Sequence, residues 1–242
     1  MQPPTIFKAS PLLYLPRQML NIVFVETALE TVPRTIQDHP SVRRDAERRG
    51  KKPSEVLLDR SLHHSAMKGL LKAQKRGRPD IIHFCLLEAL GSPLNLEGNL
   101  KVWIHTLGGY AIMVAPETRL PRDCLRFKSL MEQLFALGKV PPTGEYPLLT
   151  LKRMSLSELL ERVAPTRIVA LTSHGAPRSL EEICRGLAEE NNPTVLIGAY
   201  PSGAMEEETL SQAHEAFSIY PKVLDAWVVT SRLIYAYERA RA

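Results

Sequence analysis

Arg119, Arg122 and Arg126 stand in a run, Arg119-Leu-Pro-Arg-Asp-Cys-Leu-Arg-Phe-Lys128, in which Asp123 is the sole acid. A guanidinium fork matches phosphate oxygens, so three of them on one surface suit RNA or another polyanion. A helix over residues 122–137 would put Arg122 and Arg126 one turn apart on the same face, with Arg119 at its entrance. Upstream, Arg78-Pro-Asp80 holds opposite charges two residues apart around a rigid proline. There the carboxylate can lock the Arg78 fork toward a ligand, or cap a helix beginning at Pro79. A second chemistry lies in three loops of the C-terminal third: Thr172-Ser-His-Gly-Ala-Pro177, Gly198-Ala-Tyr-Pro-Ser-Gly203 and Phe217-Ser-Ile-Tyr-Pro221. Glycine lets main chain approach a ligand closely and proline stiffens the turn, so these loops predict a small-molecule pocket built mostly from backbone groups.

Other chemistries find little support. The Gly198–Gly203 loop lacks the middle glycine of the dinucleotide fingerprint, and no P-loop, H-E-x-x-H or paired Cys/His zinc spacing occurs, so no metal is expected. His63 and His64 are adjacent on a helical stretch, their rings diverge, and they read as a surface pair. His174 and His214 have no carboxylate neighbour in sequence that would poise them for acid–base work. Cys85, Cys124 and Cys184 are odd in number and widely spaced, which suits a reducing cytosol, and Cys85 and Cys184 read as small core residues.

The 242 residues carry a formal charge of +5, mildly favouring an anionic partner. Arg43 to Lys52 alternates bases with acids and reads as a solvated helix face, whereas Lys72 to Arg78 and Arg119 to Lys128 have few acids and are better phosphate candidates. With 44% hydrophobic residues the chain has an ordinary globular composition. No apolar run is long enough to span a bilayer, and Met1 to Leu20, broken by Pro3, Pro4, Pro11 and Pro16, does not read as a signal peptide.

The elements that must position these groups follow from periodicity. Asn21–Val25, Arg167–Leu171 and Thr194–Ile197 read as buried strands, and Lys101–His105 with Tyr110–Val114 as a hairpin across Thr106–Gly109. Residues 53–75 predict one or two amphipathic helices. Further helices are expected over Pro79–Leu90, Arg122–Leu137 (with Leu125, Leu130, Leu134 and Phe135 as core candidates), Leu156–Leu160, Ser179–Glu189 and Ala226–Tyr237. Residues 138–150, rich in glycine and proline, read as a linker. Alternating strands and helices beyond it imply an α/β fold with parallel strands, whose ligands lie outside the strand C-terminal ends.

Taken together, Arg78-Pro-Asp-Ile-Ile-His-Phe-Cys-Leu-Leu87, Ser92-Pro-Leu-Asn95, Arg119-Leu-Pro-Arg-Asp-Cys-Leu-Arg126, Leu196-Ile-Gly-Ala-Tyr-Pro-Ser-Gly203 and Ser218-Ile-Tyr-Pro221 resemble the Nep/Emg-type ribosomal RNA pseudouridine methyltransferases, from about residue 20 onward. Without a long N-terminal extension the chain looks like an archaeal member. The resemblance implies a SPOUT-type α/β domain spanning residues 1–242, a mostly parallel sheet flanked by helices. Residues 20–137 would form an N-terminal half carrying the RNA-binding arginines, including a mid-chain extension. Residues 151–242 would form a cofactor-binding half closed by a trefoil knot, a feature physics alone would not suggest because threaded chains are rare. It further implies a cytoplasmic homodimer that uses S-adenosylmethionine, releases S-adenosylhomocysteine, methylates N(1) of a pseudouridine in small-subunit ribosomal RNA, and acts in small-subunit biogenesis alongside assembly proteins. The alternative is a non-catalytic RNA-binding assembly factor. By motif, Thr172, Gly198, Gly203, Phe217, Ser218, Ile219, Tyr220, Pro221 and Lys222 fall to the cofactor. Arg78, Asp80, Arg119, Arg122 and Arg126 fall to RNA. No general base is assigned: Asp80 is a candidate, but pairing with Arg78 would make it a weak one and suits it better to orienting that side chain.

Overall fold

A computed structural model describes residues 18–241. The signal-peptide reading of Met1–Leu20 therefore falls almost wholly outside the described residues. Strand β1 (Leu20–Thr27) is followed by helices α1 (Pro40–Arg48), α2 (Arg60–His63), α3 (Pro79–Gly91) and α4 (Pro93–Leu96). Next come β2 (Leu100–Thr106), β3 (Tyr110–Val114), α5 (Cys124–Leu137), β4 (Lys139–Val140) and β5 (Leu149–Arg153). The chain continues through α6 (Leu156–Val163), β6 (Arg167–Pro177), α7 (Leu180–Ala188) and β7 (Pro193–Gly198), then α8 (Glu207–Leu210), β8 (Glu215–Ser218) and α9 (Ala226–Arg241).

The strands form one sheet in the order β4-β5-β3-β2-β1-β7-β6-β8. From β2 to β8 neighbours run parallel, while β3, β5 and β4 add an antiparallel flank. β1 lies inside the parallel part and every residue of it is buried, which is why it reads as a continuous apolar run and not an alternating one. On one face α3, α5, α7 and α9 cover the larger core. In α3, Ile82, Cys85, Leu86 and Ala89 are fully buried, the face predicted by periodicity, each aliphatic side chain contributing about 1.5–3 kcal/mol. On the other face, α6 and Met205 cover Val23, Val25, Ala170 and Leu196.

Several expectations are corrected. Residues 138–150 are no linker: β4 and β5 pair with each other and β5 extends the sheet beyond β3. Residues 53–75 contain only α2 and two single 3-10 turns, because Gly69 and Lys72 take positive φ and reverse the chain. There Val56, Leu58, Ala66 and Met67 pack on Val32, Val42 and Ala46 as a separate small core, so tertiary burial overrides the helical spacing. α5 begins at Cys124, capped by Asp123, and buries Phe127, Met131 and Leu134, whereas Leu125 is 67% exposed. Among the described residues no helix is long and apolar enough to cross a membrane.

His63 is also corrected: it is fully buried beside Asp45, its Nε2 3.5 Å from Oδ2, while His64 alone is exposed. Burial pulls the His63 imidazole below the usual 6.5, against the opposing pull of Asp45 and Asp59. The folded state thus keeps the ring neutral, while the unfolded chain binds a proton below about 6.5, so this contribution is present above that pH and declines as pH falls toward the folded value. His105, likewise depressed by burial, acts in the same direction. Urea unfolding is expected to show lower stability at pH 5.5 than at 7.5, with a smaller drop in His63→Gln; equal drops in both proteins would refute the assignment.

Nearby, Glu132 of α5 is 3% exposed and accepts from Arg49 and Lys51 at 2.5 Å and from Leu57 N at 3.0 Å. Lys128 reaches Asp59 at 2.8 Å. These bonds fasten the small core to α5, and with it the start of that helix.

Candidate functional site

The C-terminal ends of β6, β7 and β8 open on a cleft of about 510 Å³. This is the expected place, because the loops leaving parallel strands face away from the sheet core there. Thr172 and His174 line it from β6 just past Leu171, where its pairing with β7 ends, Gly198, Tyr200, Gly203 and Met205 from the end of β7 and the loop after it, and Ser218, Ile219, Tyr220 and Lys222 from the end of β8 and the segment after it. Gly203 has φ +104, a conformation that favours glycine. Phe217 and Pro221 are not part of this lining. Phe217 ends in the core, 7% exposed, with the Arg178 guanidinium 4.7 Å from its ring, because β8 extends through it and turns alternate side chains inward.

Val223, Leu224, Asp225, Trp227 and Val229 complete the cleft. Trp227 and Val229 escape sequence reasoning because they look like ordinary core positions of α9, and Val223 to Asp225 because they lie in the segment just before it. Trp227 meets Phe84 of α3 edge-on, with centroids 5.4 Å apart.

Arg78 also lines the cleft. Its Nε donates to both oxygens of Asp80 at 2.9 and 3.1 Å, and its Nη2 donates to Oδ2 at 2.7 Å. Of the two readings of Asp80, the pairing with the guanidinium is the one observed: it lies in the first turn of α3 but makes no side-chain capping hydrogen bond there. Hydrogen bonding to Asp80 raises the Arg78 pKa further, so the group stays cationic.

Arg119, Arg122 and Arg126 are exposed, and among the described residues none has an ion pair. The reason is local. Asp123, the one acid in their run, is consumed as the N-cap of α5, accepting from Arg126 N at 2.9 Å. Because that cap starts the helix after Arg122, the predicted alignment of Arg122 with Arg126 along one helical face does not occur; Arg122 belongs to the preceding loop.

Buried His83 holds that loop. Its ring stacks on Phe127 at 4.1 Å, and its Nε2 donates to the Pro121 carbonyl at 2.7 Å. Asn95 donates to the carbonyls of Leu90 and Pro116 at 3.0 and 2.9 Å, tying the end of α3 to the start of the same loop. Their presence in the quoted motifs was the only signal of these roles.

The Lys72–Arg78 cluster is not the free phosphate site expected. Lys72 pairs with Glu206, Lys75 with Glu26 and Glu206, and Arg76 with Glu30. Partners distant in sequence neutralise those three, leaving Arg78 as the cation of this run that faces the cleft.

Fold and site define a class: an open α/β protein with a cleft at the ends of parallel strands, Arg78 on its wall, and three exposed arginines on its surface without ion pairs among the described residues. Residues 22–238 match the model of the family described as EMG1/NEP1 methyltransferase. The chain is 48% identical over 222 residues to a ribosomal RNA small subunit methyltransferase Nep1 from Staphylothermus marinus, covering 92% of this chain and 96% of that protein. It is 41% identical to the Nep1 of Thermococcus onnurineus, covering 91% and 98%. Among solved structures, Archaeoglobus fulgidus Nep1 bound to S-adenosylhomocysteine superposes with a TM-score of 0.82 at 40% identity, covering 93% of this chain and 99% of that one. This chain belongs to the EMG1/NEP1 methyltransferase family.

Proposed function

We propose that the protein transfers the methyl group of S-adenosylmethionine to N(1) of a pseudouridine in small-subunit ribosomal RNA. The observation that carries this reading is Arg78: a cation held rigidly by Asp80 on the wall of a cleft large enough for a nucleoside cofactor. The cleft volume lies within the roughly 300–1,000 Å³ of small-molecule sites. Its walls fit the cofactor in kind, offering backbone at Gly198 and Gly203 and hydroxyls at Thr172 and Ser218. These residues, with Ile219, Tyr220 and Lys222, would hold it. When bound, it supplies an activated methyl group.

The chain's own task is then alignment. Arg119, Arg122 and Arg126 take RNA phosphates, the target base unstacks into the cleft, and Arg78 orients it so that N(1) faces the methyl group in line. Asp80 acts through Arg78. The name of the Archaeoglobus relative supports the cofactor, and the names of the curated relatives support the RNA. The exposed apolar surface at Phe84 and Val223 supports a homodimer, and the names of the curated relatives support a role in small-subunit biogenesis in the cytoplasm.

Incubated with labelled S-adenosylmethionine, the protein is expected to methylate a hairpin containing pseudouridine and not the same hairpin with uridine. Equal transfer to both, or RNA binding without any transfer, would overturn the reading. Arg122→Ala and Arg126→Ala are each expected to weaken hairpin binding by about 1–3 kcal/mol and to reduce its salt dependence, checked by titration at two salt concentrations.

A further inference from the structure

Behind the cleft wall lies an ion cluster that the proposed chemistry does not use. Lys75, on the 3-10 turn Ala73–Lys75, is 2% exposed. Its ammonium donates to Glu26 and, at 2.7 Å, to Glu206 Oε1, and it lies 4.4 Å from the centroid of the Tyr200 ring. Glu26 sits at the C-terminal end of β1 with φ +51, a costly backbone state for a non-glycine residue. Its second oxygen accepts from Glu206 N at 2.8 Å. Ser202 Oγ donates to the Gln74 carbonyl at 3.1 Å, and a Cβ on Gly203 would approach Lys75 Cε to 3.3 Å.

The loop from Tyr200 to Glu206, which carries Tyr200, Gly203 and Met205 into the cleft, is thus held through one buried ammonium and the carboxylate of one residue with a strained backbone. Buried ions add little net stability compared with apolar side chains of the same volume, because desolvation offsets their attraction. What they add is direction: each bond fixes a distance and an angle. Apolar filling would support the loop but would not hold it at one height above the sheet.

We propose that Lys75, bridging Glu26 and Glu206, is a positioning residue that sets the Tyr200–Glu206 wall of the cleft and thereby the affinity for the cofactor. It rests on reading the cleft as the S-adenosylmethionine site. Two variants separate this role from folding. Glu206→Gln removes the more exposed carboxylate and leaves Lys75 paired with Glu26, whereas Glu26→Gln combined with Lys75→Met removes both buried charges together.

Calorimetric titration with S-adenosylhomocysteine is expected to give a Kd raised about fivefold in Glu206→Gln and about tenfold or more in the double variant, with hairpin RNA affinity within about twofold of wild type. In turnover, the KM for the cofactor rises while the KM for RNA holds. Amide exchange should quicken over Ala199–Glu206 and stay unchanged over Val195–Ile197. Folded variants with wild-type cofactor affinity and loop protection would overturn the proposal while leaving the cofactor reading intact. If the double variant does not fold, Glu206→Gln alone decides. Wild-type protein that fails to bind S-adenosylhomocysteine would remove the cofactor reading and this proposal with it.

Discussion

Gly175→Ala is expected to destabilise the protein by about 3 kcal/mol or more and to abolish measurable binding of S-adenosylhomocysteine. A Cβ at this position would stand 2.5 Å from Phe217 C, 2.6 Å from Phe217 N and 2.7 Å from Ala216 C. All three are backbone atoms, so no rotamer change relieves the clash. Nor can the strand retreat: β6 pairs with β8 on both sides of the crossing, Leu171 opposite Phe217 and Ala176 again opposite Phe217, with Pro177 opposite Ser218. To admit a methyl group, one of those pairings must open. The opening would displace Thr172 and His174 on one chain segment and Ser218 and Ile219 on the other, which are facing walls of the cleft. Gly91→Ala is the control. It lies at the end of α3 with no heavy atom within 4 Å of the added Cβ, and is expected to be neutral or stabilising by up to about 1 kcal/mol. Chemical unfolding and calorimetry of both variants check the pair. A Gly175→Ala protein with wild-type stability and binding would show that the crossing is looser than described.

The second large effect is expected at Arg78. Its guanidinium makes charge-assisted bonds worth about 1.5–3 kcal/mol, so Arg78→Ala should lower kcat/KM for RNA methylation by roughly 10- to 100-fold. S-adenosylhomocysteine affinity should change much less if this cation serves RNA. Asp80→Ala should also lower kcat/KM, by a smaller factor, because the guanidinium remains but loses its fixed direction. Since Asp80 works through Arg78, the double variant should be hardly worse than Arg78→Ala, a coupling that a cycle of the two mutations measures directly. Fully additive losses would mean that Asp80 has a separate role, such as contact with the substrate. A similar loss of cofactor affinity in Arg78→Ala would instead move Arg78 to the cofactor.

Much of this architecture was legible from residue patterns. The β2–β3 hairpin closed at Gly109 and the Ser179 cap of α7 rest on residues close in the chain, and the α3 face and the buried strands announce themselves by local periodicity and apolar runs even though their packing partners are distant. The Arg78–Asp80 pair is equally local. Errors fell where long-range contacts dominate. The helical spacing of residues 53–75 lost to packing on α1 and the loop before it, and the glycine- and proline-rich stretch at 138–150 contributed strand pairing at a sheet edge. His63 looked like a surface residue because Asp45 comes to it from α1, eighteen residues upstream.

Charge shows the same division most sharply. Sequence counting marks both the Lys72–Arg78 and Arg119–Lys128 runs as poor in acids, and on that basis cannot rank them. By itself the sequence determined the family motifs, the parallel α/β character, the glycine loops and the arginines of the second run. Only the tertiary structure decided which cations are free. Glu26, Glu30 and Glu206 reach the first run across strand ends and loops, while Asp123 spends its carboxylate capping its own helix. Neutralisation falls off over a few ångströms in space, whatever the separation along the chain, so it is decided when strands pair and loops cross.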